Sequence, residues 1–140
     1  MLSIKEIKQI LREAREACLK YIRLRNKVRS YEQRLMEGKT IRYTSNGGTH
    51  ERDGNSMERS LCAAVDYQTE ADKAAQALSE PYLKASRLIY LVRDDKLRDI
   101  LNRYYLYGHS WGRIADDLGY SERHVKRLHG IALQEISKNT

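Results

Sequence analysis

Phenylalanine is absent from this chain of 140 residues, proline occurs once, and there are two cysteines and one tryptophan. With a single proline, little interrupts a helix. No alternating run of β-branched residues calls for a sheet, so the chain reads as all-α. Cys18 and Cys62 are far apart in sequence and lie on or beside apolar helix faces, so buried reduced thiols are expected. No run approaches the ~18 consecutive apolar residues of a membrane span. The opening Met-Leu-Ser-Ile-Lys-Glu lacks the apolar core of a signal peptide, so a cytoplasmic location and no membrane partner are expected. Acidic residues are outnumbered, 19 against 26 basic, which leaves a net charge of +7.

The positive charge is uneven. Residues 1–37 carry net +5, residues 56–95 net −2 and residues 96–140 net +3. Excess at both ends suits two surfaces that meet phosphates. The ten tyrosines suit slender helices whose packed rings keep a wet hydroxyl edge.

Ile4, Ile7, Leu11, Ala14, Cys18, Tyr21, Val28 and Leu35 follow a 3-4 spacing and predict one long amphipathic helix that Gly38 ends. Lys5, Lys8, Arg12 and Arg15 form a basic strip on another face, a candidate for secondary phosphate contacts together with Arg113. Residues 38–55 are rich in glycine and small polar residues and read as a mobile loop. The Gly47-Gly48 pair there lacks the lysine and preceding strand of a phosphate-binding loop, so no nucleotide cofactor is expected.

Helix resumes at Asn55 or Ser56. Met57, Leu61, Ala64, Ala71, Ala75 and Leu78 keep the register, which continues through Tyr82, Ala85, Ile89 and Val92. Pro81 interrupts it, predicting a kink or short break at Ser79–Pro81. Two apolar stripes joined by a loop predict an antiparallel helical hairpin over 1–92. Its alanine-rich seams bury little area alone, which points to an oligomerisation role and a homodimer.

Residues 93–140 carry the most specific pattern, a helix-turn-helix. Ser110 caps a short helix that buries Ile114 and Leu118. Ala115 permits close approach, Gly119 makes the turn, and Tyr120 fills the corner. Ser121 caps a second helix whose Val125 and Leu128 point back at the first. That helix leaves Glu122, Arg123, His124, Lys126 and Arg127 to solvent, three fixed cations against one carboxylate, as a recognition helix of about residues 121–133 in a DNA major groove would. Trp111 reads as a core anchor.

Here a resemblance carries further. Leu97, Ile100, Leu101, Tyr104, Gly108, Ser110-Trp111, Ile114-Ala115, Leu118-Gly119, Ser121, Val125, Lys126 and Ala132-Leu133 make residues 96–136 similar to region 4 of bacterial sigma factors and to the sigma-like ends of phage regulators. The segment Leu128 to Leu133 resembles phage- and prophage-encoded proteins with a helical N-terminal half. The resemblance implies a transcriptional regulator of phage or prophage genes in a bacterial host cell, binding double-stranded DNA. With no segment matching a promoter-melting region, it would either touch host RNA polymerase as an accessory factor or act by position alone. Glu122, Arg123, Lys126 and Arg127 would read the bases. Sigma factors usually carry a basic residue where this chain has Glu122, and His124 is also unusual, which implies a target other than the standard promoter element.

Catalysis has little support, and the chain is not expected to be an enzyme. His124 and His129 are five apart and off one helical face, so no metal site is expected. Asp94-Asp95 and Asp116-Asp117 diverge on a helix and suit caps or solvated faces. The alternatives that share a helix-turn-helix or a helical partner-binding half are a small terminase-like DNA-packaging subunit and a polymerase-binding interaction module.

Overall fold

The computed structural model describes the backbone of residues 1–42 and 50–140, and the side chains of residues 1–37 and 56–140. Five α-helices follow one another: α1 (Ile4–Arg42), α2 (His50–Tyr90), α3 (Asp95–Leu101), α4 (Trp111–Leu118) and α5 (Glu122–Asn139). A π-helical turn, Asn102–Leu106, prolongs α3. Among the described residues there is no strand, and no helix is long and apolar enough to cross a membrane. The all-α reading and the long N-terminal helix pair therefore hold.

Two boundaries differ from expectation. Helix α1 runs through Gly38 to Arg42. A glycine inside a helix costs only about 1 kcal/mol relative to alanine and does not by itself stop one. Helix α2 begins at His50, ahead of Asn55. The centre of the expected mobile loop, residues 43–49, lies outside the described residues.

Pro81 lies within α2, and the helix is not broken there. The Ser79 hydroxyl does not cap a new helix; it donates to the Gln76 carbonyl at 2.8 Å. Proline in a helix interior costs about 3 kcal/mol. Burial of the seam on both sides opposes it, because Ala71, Ala74, Ala85 and Leu88 are all buried.

That seam is shifted from the expected one at alternate positions. Ala64, Ala71, Ala85 and Val92 are buried as expected, but the intervening contacts fall on Ala74 and Leu88. Ala75 is exposed, as are Leu61 and Tyr82. Ile89 is buried beside Leu88. A 3-4 repeat and a 4-3 repeat share every seventh residue; at Ala74 the structure takes the other phase, and at Leu88 and Ile89 both neighbours are buried.

Packing forms two compact units, Met1–Leu19 with Gln76–Thr140, and Lys20–Ala75. In the second, Val28, Ala64, Ala71 and Ala74 are buried. Tyr31 stacks on Tyr67 with centroids 5.4 Å apart, and Lys27 and Arg34 lie over those rings at 4.9 and 5.1 Å.

In the first unit, Ile7, Leu11 and Ala14 of α1 and Ala85, Ile89 and Val92 of α2 share one core with Leu97, Leu101, Leu133 and Ile136. The ends of the long helices are thus part of the same core as α3 and α5. Ser3 and Glu6 make a reciprocal cap at the start of α1: the Ser3 N–H donates to Glu6 Oε2 at 2.8 Å, and the Glu6 N–H donates to Ser3 Oγ at 3.3 Å. The end of α5 is tied down as well. The Ser137 hydroxyl donates to the Leu2 carbonyl at 3.1 Å, and Asn139 Nδ2 donates to the Leu91 carbonyl at 2.9 Å.

Candidate nucleic-acid interface

Local sequence builds the corner between α4 and α5. Ser110 is extended and its hydroxyl accepts the Arg113 N–H at 3.2 Å; Ser121 does the same for the His124 N–H at 3.2 Å. Between them Gly119 ends α4 in the left-handed region, φ 71 and ψ 29, where an L side chain is strained. The Tyr120 N–H then returns to the Ala115 carbonyl at 2.9 Å. Apolar spacing closes the corner. Ile100, Ile114, Ala115 and Val125 are buried together, with Trp111, Leu118, Tyr120 and Leu128 packed around them.

This packing fixes which way α5 faces. Ser121, Glu122, Arg123, Lys126 and Arg127 are exposed, while His124 is half-buried and meets the Tyr120 ring edge-on at 4.9 Å. Among the described residues, Arg123, Lys126 and Arg127 have no ion-pair partner. A β-carbon added at Gly112 would come within 2.8 Å of Glu122 Oε1, so that carboxylate lies over the start of α4. Two turns of α5 therefore show three uncompensated cations.

The N-terminal strip divides. Lys5, Lys8 and Arg12 are exposed, but Arg15 is not a free surface cation. Its Nη1 donates to the Tyr104 carbonyl and, at 3.0 Å, to the His109 carbonyl. The guanidinium also lies 3.8 Å from the centre of the Tyr104 ring. Tyr104 lies within the π turn and His109 just beyond it; in that turn the Tyr107 N–H donates to the Asn102 carbonyl. Arg113 remains largely exposed and pairs loosely with Asp117, Nε to Oδ2 3.8 Å. Asp117 also holds Arg103 at 3.3 Å, and Asp94 caps α3 by accepting the Lys96 N–H at 2.9 Å. Those carboxylates are structural pairs and caps.

Tyr104, Trp111 and His129 form an aromatic knot that sequence reasoning gave no joint role. Tyr104 and Trp111 stack with centroids 3.8 Å apart and planes 13° apart. His129 meets Trp111 edge-on at 4.9 Å, and its Nε2 is 2.6 Å from the Tyr105 hydroxyl. Burial, with Lys8 adding to it, pulls the His129 imidazole down to about 4, and burial raises the Tyr105 hydroxyl above its ordinary range. Both groups are neutral at pH 7. The single tryptophan and the adjacent tyrosines were the available signal, but their meeting depends on the π turn.

The cysteines part company. Cys18 is buried, its thiol donating to the Leu106 carbonyl at 3.0 Å, whereas Cys62 is exposed, contrary to the expectation of a buried thiol. Burial raises the Cys18 thiol above its ordinary value, which disfavours the reactive thiolate. Comparison of the chain with family models, with curated proteins and with solved structures finds no match to any of them.

Proposed function

We propose that this chain is a sequence-specific DNA-binding transcriptional regulator of phage or prophage genes. In this reading α4, the turn at Gly119 and α5 are a helix-turn-helix of the sigma region 4 kind, and the first turns of α5 enter the major groove. The observation that carries it is the exposed face of α5, where Arg123, Lys126 and Arg127 stand without an ion-pair partner among the described residues. A solvated structural face usually mixes signs, whereas phosphates and guanine edges supply a partner for three like charges left unpaired. Caps at both helix starts and a shared buried core hold that face in one orientation, as base reading requires.

The proposal includes a homodimer that presents two reading faces to half-sites spaced by whole helical turns, and a contact with RNA polymerase as an accessory factor that does not itself open promoters. It is tested by selecting bound duplexes from a random pool. A recovered motif is expected, and Arg123→Ala should cost about 1–3 kcal/mol and relax preference at one base pair. Each lost phosphate contact should instead weaken all sequences alike and lower the salt slope by about one unit. Arg123→Ala and Arg127→Ala proteins that bind the selected duplex as tightly as the parent would sink the assignment.

A further inference from the structure

The first compact unit contains a recess of about 200 Å³ walled by Lys8, Arg12 and Arg15 of α1 and by Tyr104, Trp111 and His129. The three cations recur at intervals of four and three residues, so they share one helix face. No carboxylate lines the recess. Among the described residues, Lys8 and Arg12 have no ion-pair partner. Arg15 is held by two backbone carbonyls and the Tyr104 ring, which are dipoles and a quadrupole and leave its net charge in place. None of the other lining residues is acidic, and two of them, His129 and Tyr105, are neutral and bonded to each other at 2.6 Å. The recess is thus positive on one side, aromatic on the other, and uncompensated. Like charges facing a partly desolvated wall repel, and an anion between them relieves that cost.

We propose that this recess binds an oxyanion of the phosphate class, with Lys8 and Arg12 supplying free donors and Arg15 a fixed positive wall. Its volume narrows the ligand. A cavity of about 150 Å³ accepts benzene, so this one holds a phosphate group with a short attachment and excludes a folded peptide. The flat Tyr104–Trp111 stack has one face covered by Arg15, so the walls bound the anion by shape. Trp111 belongs to α4 and His129 to α5, so occupancy bears directly on the pair proposed to read DNA. The oxyanion comes either from a free phosphate or phosphate ester, or from the backbone of a bound duplex. The site itself stands independently of the DNA-binding reading.

Trp111 is the only tryptophan, so its emission reports on the recess. Inorganic phosphate is titrated into the full chain at constant ionic strength, with chloride as the balancing anion. The expected result is a saturable emission change that weakens about tenfold or more in Lys8→Gln and in Arg12→Gln, the loss of one charge-assisted hydrogen bond. Lys5→Gln, whose side chain does not line the recess, should match the parent. Thermal melts confirm that these surface variants fold. A response that does not saturate, or that survives equally in Lys8→Gln and Arg12→Gln, overturns the proposal.

A duplex recovered by selection then distinguishes the sources. Duplex that competes with inorganic phosphate for the recess supports the backbone as source, and simultaneous binding supports a free anion. Retained phosphate binding in an Arg123→Ala protein that has lost the duplex would support the recess independently. Intact duplex binding in Lys8→Gln and Arg12→Gln proteins, with no phosphate response in the parent, would remove the recess and leave the DNA-binding reading standing.

Discussion

Two glycines beside the α4–α5 corner should answer the same substitution with opposite sign. Gly119 ends α4 at φ 71, and a β-carbon built there meets nothing within 4 Å. The whole penalty of Gly119→Ala is therefore backbone strain, about 1–2 kcal/mol for a left-handed L residue. Loss of unfolded-state freedom returns about 0.4–1 kcal/mol of that, leaving a net destabilisation of about 1 kcal/mol. Gly130 lies inside α5, has no positive φ, and also has open space around a built β-carbon. There the helix propensity difference acts alone, and Gly130→Ala should stabilise by about 0.8–1 kcal/mol. The two variants should thus differ by about 2 kcal/mol although each adds one methyl to open space. Urea denaturation followed by far-ultraviolet circular dichroism reads this as midpoints on either side of the parent with an unchanged slope. Gly119→Asn should fall between Gly119→Ala and the parent, because asparagine tolerates the left-handed region. A Gly119→Ala protein as stable as the parent would refute the turn geometry, and a destabilised Gly130→Ala would refute the open helix face.

Ile114 is fully buried in the corner core, so Ile114→Ala should cost about 2–5 kcal/mol in the same melts; a change below about 1 kcal/mol would mean α4 does not pack as described. Leu128, only half-buried, should fall toward the low end of that range. His129 gives a pH dependence. Its folded pKa of about 4 lies below the ordinary 6.5, so the unfolded chain binds the proton first as pH falls. The contribution is full above about 6.5 and is lost progressively down to about 4, by up to ~1.4 kcal/mol per pH unit. Comparing parent and His129→Gln melts across that window should show a shallower acid slope in the variant; identical slopes would contradict the buried imidazole.

What the sequence made legible was local. Ser110, Gly119 and Ser121 act within four residues of their partners, so cap and turn chemistry shows in the order of residues alone. Ile114, Ala115 and Val125 were legible because their period matches one helix face. The α2 seam was half legible. Ala64, Ala71, Ala85 and Val92 lie at multiples of seven residues and serve either phase, but Ala74 or Ala75 is a choice that only the facing helix makes. At Pro81 the sequence left a kink or a short break open; the helix is not broken, because burial on both sides of the proline favours continuity. Arg15 was read as one of four equivalent surface cations. Its partners are the carbonyls of Tyr104 and His109, 89 and 94 residues away, and no spacing rule reaches that far.

The Arg15 contact also explains how the long helices bear on the α4–α5 pair. A helix leaves its last carbonyls without internal donors, and a wide final turn shifts which of them are freed. After α3 these acceptors are met from α1: Arg15 donates to the Tyr104 and His109 carbonyls, and Cys18 to the Leu106 carbonyl. Arg15 and Cys18 are one turn apart and share a helix face, so one stretch of α1 caps the segment that leads into α4. A cation placed there also complements the negative end of the helix dipole. The start of α4 is thus tied to α1 through Tyr104, whose ring carries Arg15 and stacks on Trp111. The same contact gives the recess its rigid wall, because a guanidinium locked by two carbonyls cannot swing out to solvent. Lys8 and Arg12, two turns and one turn earlier on the same face, have no such ties among the described residues. That difference in mobility is why the two exposed cations, and not Arg15, are the donors free to close on an anion.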